Sequence, residues 1–300
     1  MVAVCLAPAD LRPEVDPLGA TVRADPRRAD LTASDAAALE YGLRAAEAWD
    51  GWVLAVAAGP PEIDPVLAGA VAVGAEAVRL DWGAGYAMPA AVAGPRELHP
   101  AELAGDPAAV AGALAELISG AGRPALVLCG DRSGGPGVGA VPGLLADRLG
   151  MGSALGVVRL TTGEPGRVEM ERRLDGGWRE RLTTDRPVVV SVEAAGVRLR
   201  RASLAATLGA QGAAIAVEHP RPGTGPTDVR LGPVRPYRPR TRPVAPPEGD
   251  TRQRLLSLTG ALVSRQPPRI VGPVSATEAA DELLAYLERN GYRTGADRTS

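Results

Sequence analysis

Short apolar runs alternate with longer stretches of helical periodicity through the first half of the chain. Val2–Leu6, Trp52–Ala57, Ala77–Leu80 and Ala125–Cys129 are mostly apolar at successive positions. That is the pattern of strands covered by helices on both faces of a sheet. Between them, Ala36–Ala48, Ile63–Val73 and Pro107–Ile118 carry apolar residues at helical spacing, with Leu39, Leu43 and Ala46 on one face of the first. Ser34 or Asp35 is placed to cap that helix, because a short side-chain oxygen accepts an orphan N–H. Gly137–Leu149 carries a loop into a further helix. Strands alternating with helices predict an α/β fold with a doubly wound, mainly parallel, Rossmann-like sheet. In such sheets ligands bind beyond the carboxyl ends of the strands.

After Gly150 the rhythm changes. Arg167–Leu174 and Trp178–Thr184 flank Asp175-Gly176-Gly177, a strong hairpin signal because glycine accepts positive φ. Pro187–Val192 is a further buried strand, and Ala202–Gly209 with Ala213–Val217 closes a compact domain over residues 1–218. Residues 219–250 are rich in Pro and Arg, as in Arg235-Pro236-Tyr237-Arg238-Pro239-Arg240, and predict an extended linker or arm. Residues 251–300 predict a helical C-terminal arm. It holds a short helix over Thr251–Ser264 and an amphipathic one over Ala276–Arg289, with Ala280, Leu283, Leu284 and Leu287 on one face.

Composition narrows the function. A net charge of −2 argues against nucleic acid or an anionic membrane surface, which need a basic excess. No run of about 20 apolar residues suggests membrane insertion, and Met1–Leu6 lacks the features of a signal peptide. A cytoplasmic location is the resulting expectation. Cys5 and Cys129 both lie in strand-like apolar runs and suit buried, reduced thiols. His99 and His219 are far apart, without metal-ligand spacing, and no Ser–His pairing suggests a nucleophile. The chain contains no Phe and no Lys, so every basic side chain except histidine is Arg.

The most informative chemical stretch is Cys129-Gly-Asp-Arg-Ser-Gly-Gly-Pro-Gly-Val-Gly139, between a predicted strand and a predicted helix. Its glycines suit a phosphate-binding turn, where backbone N–H groups and a helix N-terminus favour an anion. They equally suit a plain strand-to-helix connection. No Gly-Lys-Ser/Thr follows, so it is not a P-loop.

The hairpin region carries a family resemblance. Arg172, Asp175, Gly176, Gly177, Glu180, Leu182, Pro187, Val189 and Val190 fall at the spacing of the electron transfer flavoprotein β-subunit signature. Met170 and Ser191 depart from it. Asp35-Ala-Ala-Ala-Leu39-Glu40 resembles that family's first helix, Ala70–Glu76 its Ala-x-x-x-Gly-Ala-Asp stretch, and Arg201-Ala202-Ser203-Leu204 its partner-recognition loop.

The resemblance implies an adenine nucleotide α-hydrolase-like fold in a heterodimer with an electron transfer flavoprotein α subunit. FAD would be held mainly by that α subunit, and the chain would be an electron carrier rather than an enzyme. Electrons would pass from a dehydrogenase donor to a quinone oxidoreductase or other acceptor. It further implies nucleotide contacts, mostly through backbone, at Ala7, Thr32, Ala58, Gly130, Ser133, Gly137, Val138, Gly139, Ala140 and Val141, and a docking anchor at Leu204. The loop keeps the family's glycines but not its Gln and Asp side chains. AMP, a second FAD or nothing therefore all stay open for that site, as does flavin bifurcation. A divergent branch, such as the mycofactocin-associated flavoproteins, fits these departures. Three rivals remain at this level: a free-standing, universal-stress-like nucleotide-binding protein, a β subunit that has lost its nucleotide and is purely structural, and an enzyme such as an amidase or ligase, for which the sequence shows no motif.

Overall fold

The computed structural model describes residues 1–16, 21–81, 96–98, 107–132, 139–220, 249–259, 270, 272 and 275–292. Two compact units, Met1–Tyr237 and Arg238–Ser300, divide the chain.

In the first unit the elements run as follows. β1 is Val2–Leu6, β2 Ala9–Asp10, β3 Glu14–Asp16, β4 Thr21–Ala24, β5 Ala29–Asp30 and α1 Ala33–Ala48. Then come β6 Val53–Ala58, α2 Asp64–Ala72, β7 Glu76–Leu80, β8 Arg96–Leu98, α3 Pro107–Ala121 and β9 Leu126–Gly130. The series ends with α4 Val141–Leu149, β10 Gly152–Thr162, β11 Val168–Arg173, β12 Arg179–Thr184, β13 Val188–Val192, α5 Leu204–Gln211 and β14 Ala216–Glu218.

Nine strands form one mixed, mostly parallel sheet in the order β12-β11-β10-β13-β9-β1-β6-β7-β14. Only β11 runs antiparallel to its neighbours, β10 and β12. From β1 the chain builds outward through β6 and β7. It then crosses to the other edge of β1 with β9 and continues to β13. The strand order therefore reverses between β1 and β9, and ligands of such sheets bind in the crevice beyond the carboxyl ends at that point.

The apolar runs are buried because helices cover both faces. Val2, Val4 and Leu6 alternate with Ala3 and Cys5 along β1 and fall into separate clusters. One face packs Leu39, Leu43 and Ala46 of α1 and Leu67 of α2 against Val53, Ala55, Leu126 and Leu128. The other packs Leu114 and Ile118 of α3 and Leu145 of α4 against Leu54, Val56 and Val127. Each fully buried Leu, Ile or Val contributes about 1.5–3 kcal/mol relative to exposure, so the central strands dominate the sheet's stability.

Several expectations are corrected. α1 begins three residues earlier than its apolar periodicity indicated, and its cap is Thr32 rather than Ser34 or Asp35. Thr32 Oγ1 accepts from the Asp35 N–H at 3.0 Å. β10 was not foreseen. Its burial alternates irregularly, and its register shifts between Val157 and Arg159 against β11, so it lacks a clean apolar run. Two small sheets, β2–β5 and β3–β4–β8, also escaped sequence reading, because strands of two to four residues carry too little pattern. The hairpin is where the Asp-Gly signal put it, with Arg173 opposite Arg179. Its turn has Gly176 at φ +70 and Gly177 at φ +82, which side chains rarely adopt.

In the second unit, α6 is Thr251–Leu258 and α7 is Ala276–Arg289. Both start with a reciprocal capping box, Asp250 with Gln253 and Ser275 with Glu278. Neither helix has a buried residue. The anticipated face of α7 is accordingly open, with Leu283 58% and Leu284 39% exposed. The predicted helix is seen over residues 251–258, while 260–264 and most of the Pro/Arg stretch, 221–248, lie outside the described residues. Among the described residues no helix is long and apolar enough to cross a membrane.

Candidate functional site

The crevice is built where β1 and β9 end against the start of α1. Leu6 and Gly130 are the last residues of those strands, and Ala7 follows Leu6 directly. Asp35, in the first turn of α1, sits between them and is 1% exposed. Its carboxylate accepts the Thr32 hydroxyl at 2.7 Å. The backbone N–H groups of Thr32, Gly130 and Ala7 lie near enough to favour its ionised form. One buried side chain thus sits where two central strands end against the helix that covers them.

The electrostatics of Asp35 follow from this position. Burial pushes its carboxyl up to about 6, while the Thr32 hydroxyl and the nearby backbone N–H groups of Thr32, Gly130 and Ala7 oppose the rise. Gly130 has no alternative at its position. A Cβ there would lie 2.7 Å from Asp35 Oδ1, 2.8 Å from Ser34 Oγ and 3.0 Å from the Asp35 nitrogen. Ser34 adds a further tie by donating to the Arg132 carbonyl at 3.2 Å, which holds the start of the glycine-rich loop against α1. The Asp131 N–H donates to the Val192 carbonyl at 2.9 Å and fixes the same loop to the end of β13.

Of the residues proposed for nucleotide contact, Ala7, Thr32 and Gly130 converge on Asp35. Ala58 ends β6, the strand beside β1. Gly139, Ala140 and Val141 lie at the other end of the loop, where α4 starts. Gly139 has φ +63, Ala140 provides no side-chain cap, and the first turn of α4 has no acidic residue. Val141 also packs its side chain against the second core cluster. Ser133, Gly137 and Val138 lie outside the described residues. The two helix starts therefore differ. That of α1 is capped by the Thr32 hydroxyl, whereas that of α4 has no side-chain cap among the described residues.

The hairpin and docking residues stand apart from this crevice. Arg172 and Glu180 are directly opposite in the β11–β12 register and form an ion pair. This accounts for the basic and acidic positions of the signature as a cross-strand pair. Glu171 accepts from Arg179 at 2.8 Å, and Arg173 pairs with Glu193. Trp178, just past the turn, is 74% exposed. Pro187 precedes β13 and its carbonyl accepts the Gly152 N–H at 3.2 Å. Leu204 opens α5 after the Ser203 cap and is 75% exposed, with Leu208 exposed one turn further on.

A network that sequence reasoning missed holds the approach to α5. The buried Glu40 carboxylate of α1 accepts the Arg200 backbone N–H and its Nε, each at 3.0 Å, and the Arg44 Nε at 2.8 Å. Glu47 pairs with the same guanidinium. Burial pushes the Glu40 carboxyl up, but hydrogen bonds from Arg200 and Arg44 outweigh it and hold it below its ordinary value. Glu47 is lowered by its hydrogen bond to Arg200. The partners are 160 positions apart, so no local signal could reveal the pairing. Asp35 had a faint signal, since Thr32-x-x-Asp35 has capping-box spacing with a shorter acid.

Among the described residues, no group of three or more His, Cys, Asp or Glu side chains could hold a metal ion. Residues 97–221 match the electron transfer flavoprotein domain. The matched segment is less than half of the chain; it contains β9, the hairpin, β13 and α5, and leaves out β1 and α1. The match supports a general relationship to the electron transfer flavoprotein family. No curated protein matches the chain.

Proposed function

We propose that this chain is the β subunit of an electron transfer flavoprotein. With an α subunit, it carries electrons through FAD from a dehydrogenase to a quinone oxidoreductase or other acceptor. The observation that carries the reading is the domain match over 97–221, which takes in both the signature hairpin and the exposed Leu204 helix. The flavin, held mainly by the α subunit, supplies the redox chemistry. This chain's part is to pack over it, bind the partner and present the docking helix.

An adenine nucleotide would set its phosphate away from the start of α1, where the Asp35 charge repels it. The first turn of α4 carries no acid, so the backbone N–H groups of Gly139, Ala140 and Val141 would hold the phosphate there. Pro142 contributes no donor. A heterodimer of cytoplasmic location follows from the same reading.

The test is coexpression with an electron transfer flavoprotein α subunit from the same genome. The complex is purified through a tag on this chain, and its visible spectrum and released nucleotides are recorded. Flavin absorption at about one FAD per heterodimer supports the proposal, and released AMP places a nucleotide in the crevice. A colourless chain that purifies alone and releases ATP overturns it in favour of a free-standing nucleotide-binding protein.

A further inference from the structure

The chain contains only two cysteines, far apart in sequence, and the fold places them side by side. Cys5 of β1 and Cys129 of β9 are register partners on neighbouring parallel strands. Both project into the same core cluster, beneath α3 and α4. The Cys5 side chain is the largest influence on the Cys129 thiol. Neighbouring strands lie about 4.8 Å apart, inside the range of about 4.4–6.8 Å between Cα atoms that a disulfide spans. Among the described residues no third cysteine competes, and neither thiol takes part in the nucleotide and docking roles proposed above.

We infer that Cys5 and Cys129 form a dithiol modification site that closes to a reversible intramolecular disulfide under a small hydroperoxide. This inference does not rest on the flavoprotein reading. One thiol loses its proton and its sulfur attacks a peroxide oxygen. The O–O bond breaks, a sulfenic acid forms, and the departing hydroxide takes up a proton to leave as water. The neighbouring sulfur then displaces the hydroxyl, forming the S–S bond and releasing a second water. Two S–H bonds and one O–O bond are lost, one S–S bond is gained, and the peroxide is reduced. The neighbouring Cys5 thiol and burial raise the Cys129 thiol well above its ordinary value, so Cys129 rests protonated. Cys5 is 7% and Cys129 5% exposed, so the pair is closed to bulky thiol reagents. The bond would link the two strands that flank the crevice, one position before Leu6 and Gly130, the strand ends beside Asp35.

The test uses the full chain. It is treated with hydrogen peroxide, quenched, denatured in iodoacetamide and analysed by intact mass and peptide mapping. The expected result is coordinated loss of both alkylation sites, a mass two hydrogens lower, a Cys5–Cys129 cross-linked peptide, and full reversal by dithiothreitol. The inference is overturned if both thiols alkylate completely after peroxide, if each oxidises separately to sulfinic or sulfonic acid, or if the cross-link joins two chains on a non-reducing gel. Cys5→Ala supplies a second check, because Cys129 alone must then yield no monomeric product that lacks two hydrogens.

Discussion

Asp35 gives the sharpest test of how the crevice is held. Its carboxyl is raised from 3.8 to about 6, by burial acting against the Thr32 hydroxyl and nearby backbone N–H groups. A raised folded-state value means that folding takes up a proton. Stability from this group is therefore complete below about pH 3.8 and is lost as pH rises through about 6. A shift of roughly two units corresponds to about 3 kcal/mol. Asp35→Asn keeps the shape and removes the titration. Urea unfolding of both proteins, followed by circular dichroism from about pH 4 to pH 7.5, isolates the effect, since every other group cancels in the difference. Wild type should lose about 3 kcal/mol relative to Asp35→Asn across that window. A carbon NMR titration of the Asp35 carboxyl should have its midpoint near 6. A flat stability difference, with a midpoint at the ordinary aspartate value of about 3.9, would refute the reasoning. The backbone donors of Ala7, Thr32 and Gly130 would then fully replace water around the charge.

Glycine substitutions separate crowding from helix propensity. Gly130→Ala forces a Cβ to within 2.7 Å of Asp35 Oδ1 and should cost about 2 kcal/mol. Gly69→Ala, in mid-α2 with nothing within 4 Å, should gain about 0.5–1 kcal/mol. Equal effects in thermal unfolding would contradict the packing at Gly130. Arg200→Met removes the guanidinium from Glu40 and leaves the carboxylate to Arg44 and one backbone N–H, which should cost about 1.5–3 kcal/mol at neutral pH by urea unfolding. Because Glu40 is held below its ordinary 4.5, that gap should narrow as pH falls below this value, and a pH-independent gap would exclude the charge pairing as its cause. Leu204→Ala, at a site 75% exposed, should leave the melting temperature unchanged. In the assembled flavoprotein it should slow electron uptake from the donor dehydrogenase at least about fivefold, matching about 1 kcal/mol of docking energy. An unchanged rate would remove Leu204 from the docking surface.

The legible parts of the fold were those whose physics is local. Val2–Leu6 and Ala276–Arg289 lie where their patterns put them, because a continuously apolar run and a helical stripe each carry their own signal. The Asp175-Gly176-Gly177 turn was readable because positive φ selects glycine. β10 was not, because it is buried only in places and its partners, β11 and β13, pull its register in different ways. The start of α1 was missed because Ala33 and Ser34 carry no apolar periodicity. Thr32 sets that boundary through a hydrogen bond, which a hydrophobic count cannot register.

The candidate site was less legible, for a related reason. Ala7, Thr32 and Gly130 were singled out as nucleotide contacts, and they do converge, but on a side chain of the chain itself. An alanine or glycine at a strand end contributes only its backbone N–H, so its partner depends on which group the fold brings opposite. Here that group is the Asp35 carboxylate, delivered by the first turn of α1. On the proposed reading an anion site here is divided: the buried Asp35 occupies the β1–β9 half, which leaves the start of α4, without a side-chain cap among the described residues, for a phosphate. The two halves predict opposite responses to the same change. Neutralising Asp35 by Asp35→Asn removes repulsion across the crevice and should tighten any adenine nucleotide bound at α4. Introducing an acid at Gly139, at the open helix start, should abolish that binding with little effect on Asp35. Isothermal titration of the two variants with AMP would decide between this division and a single shared site, in which both substitutions would weaken binding together.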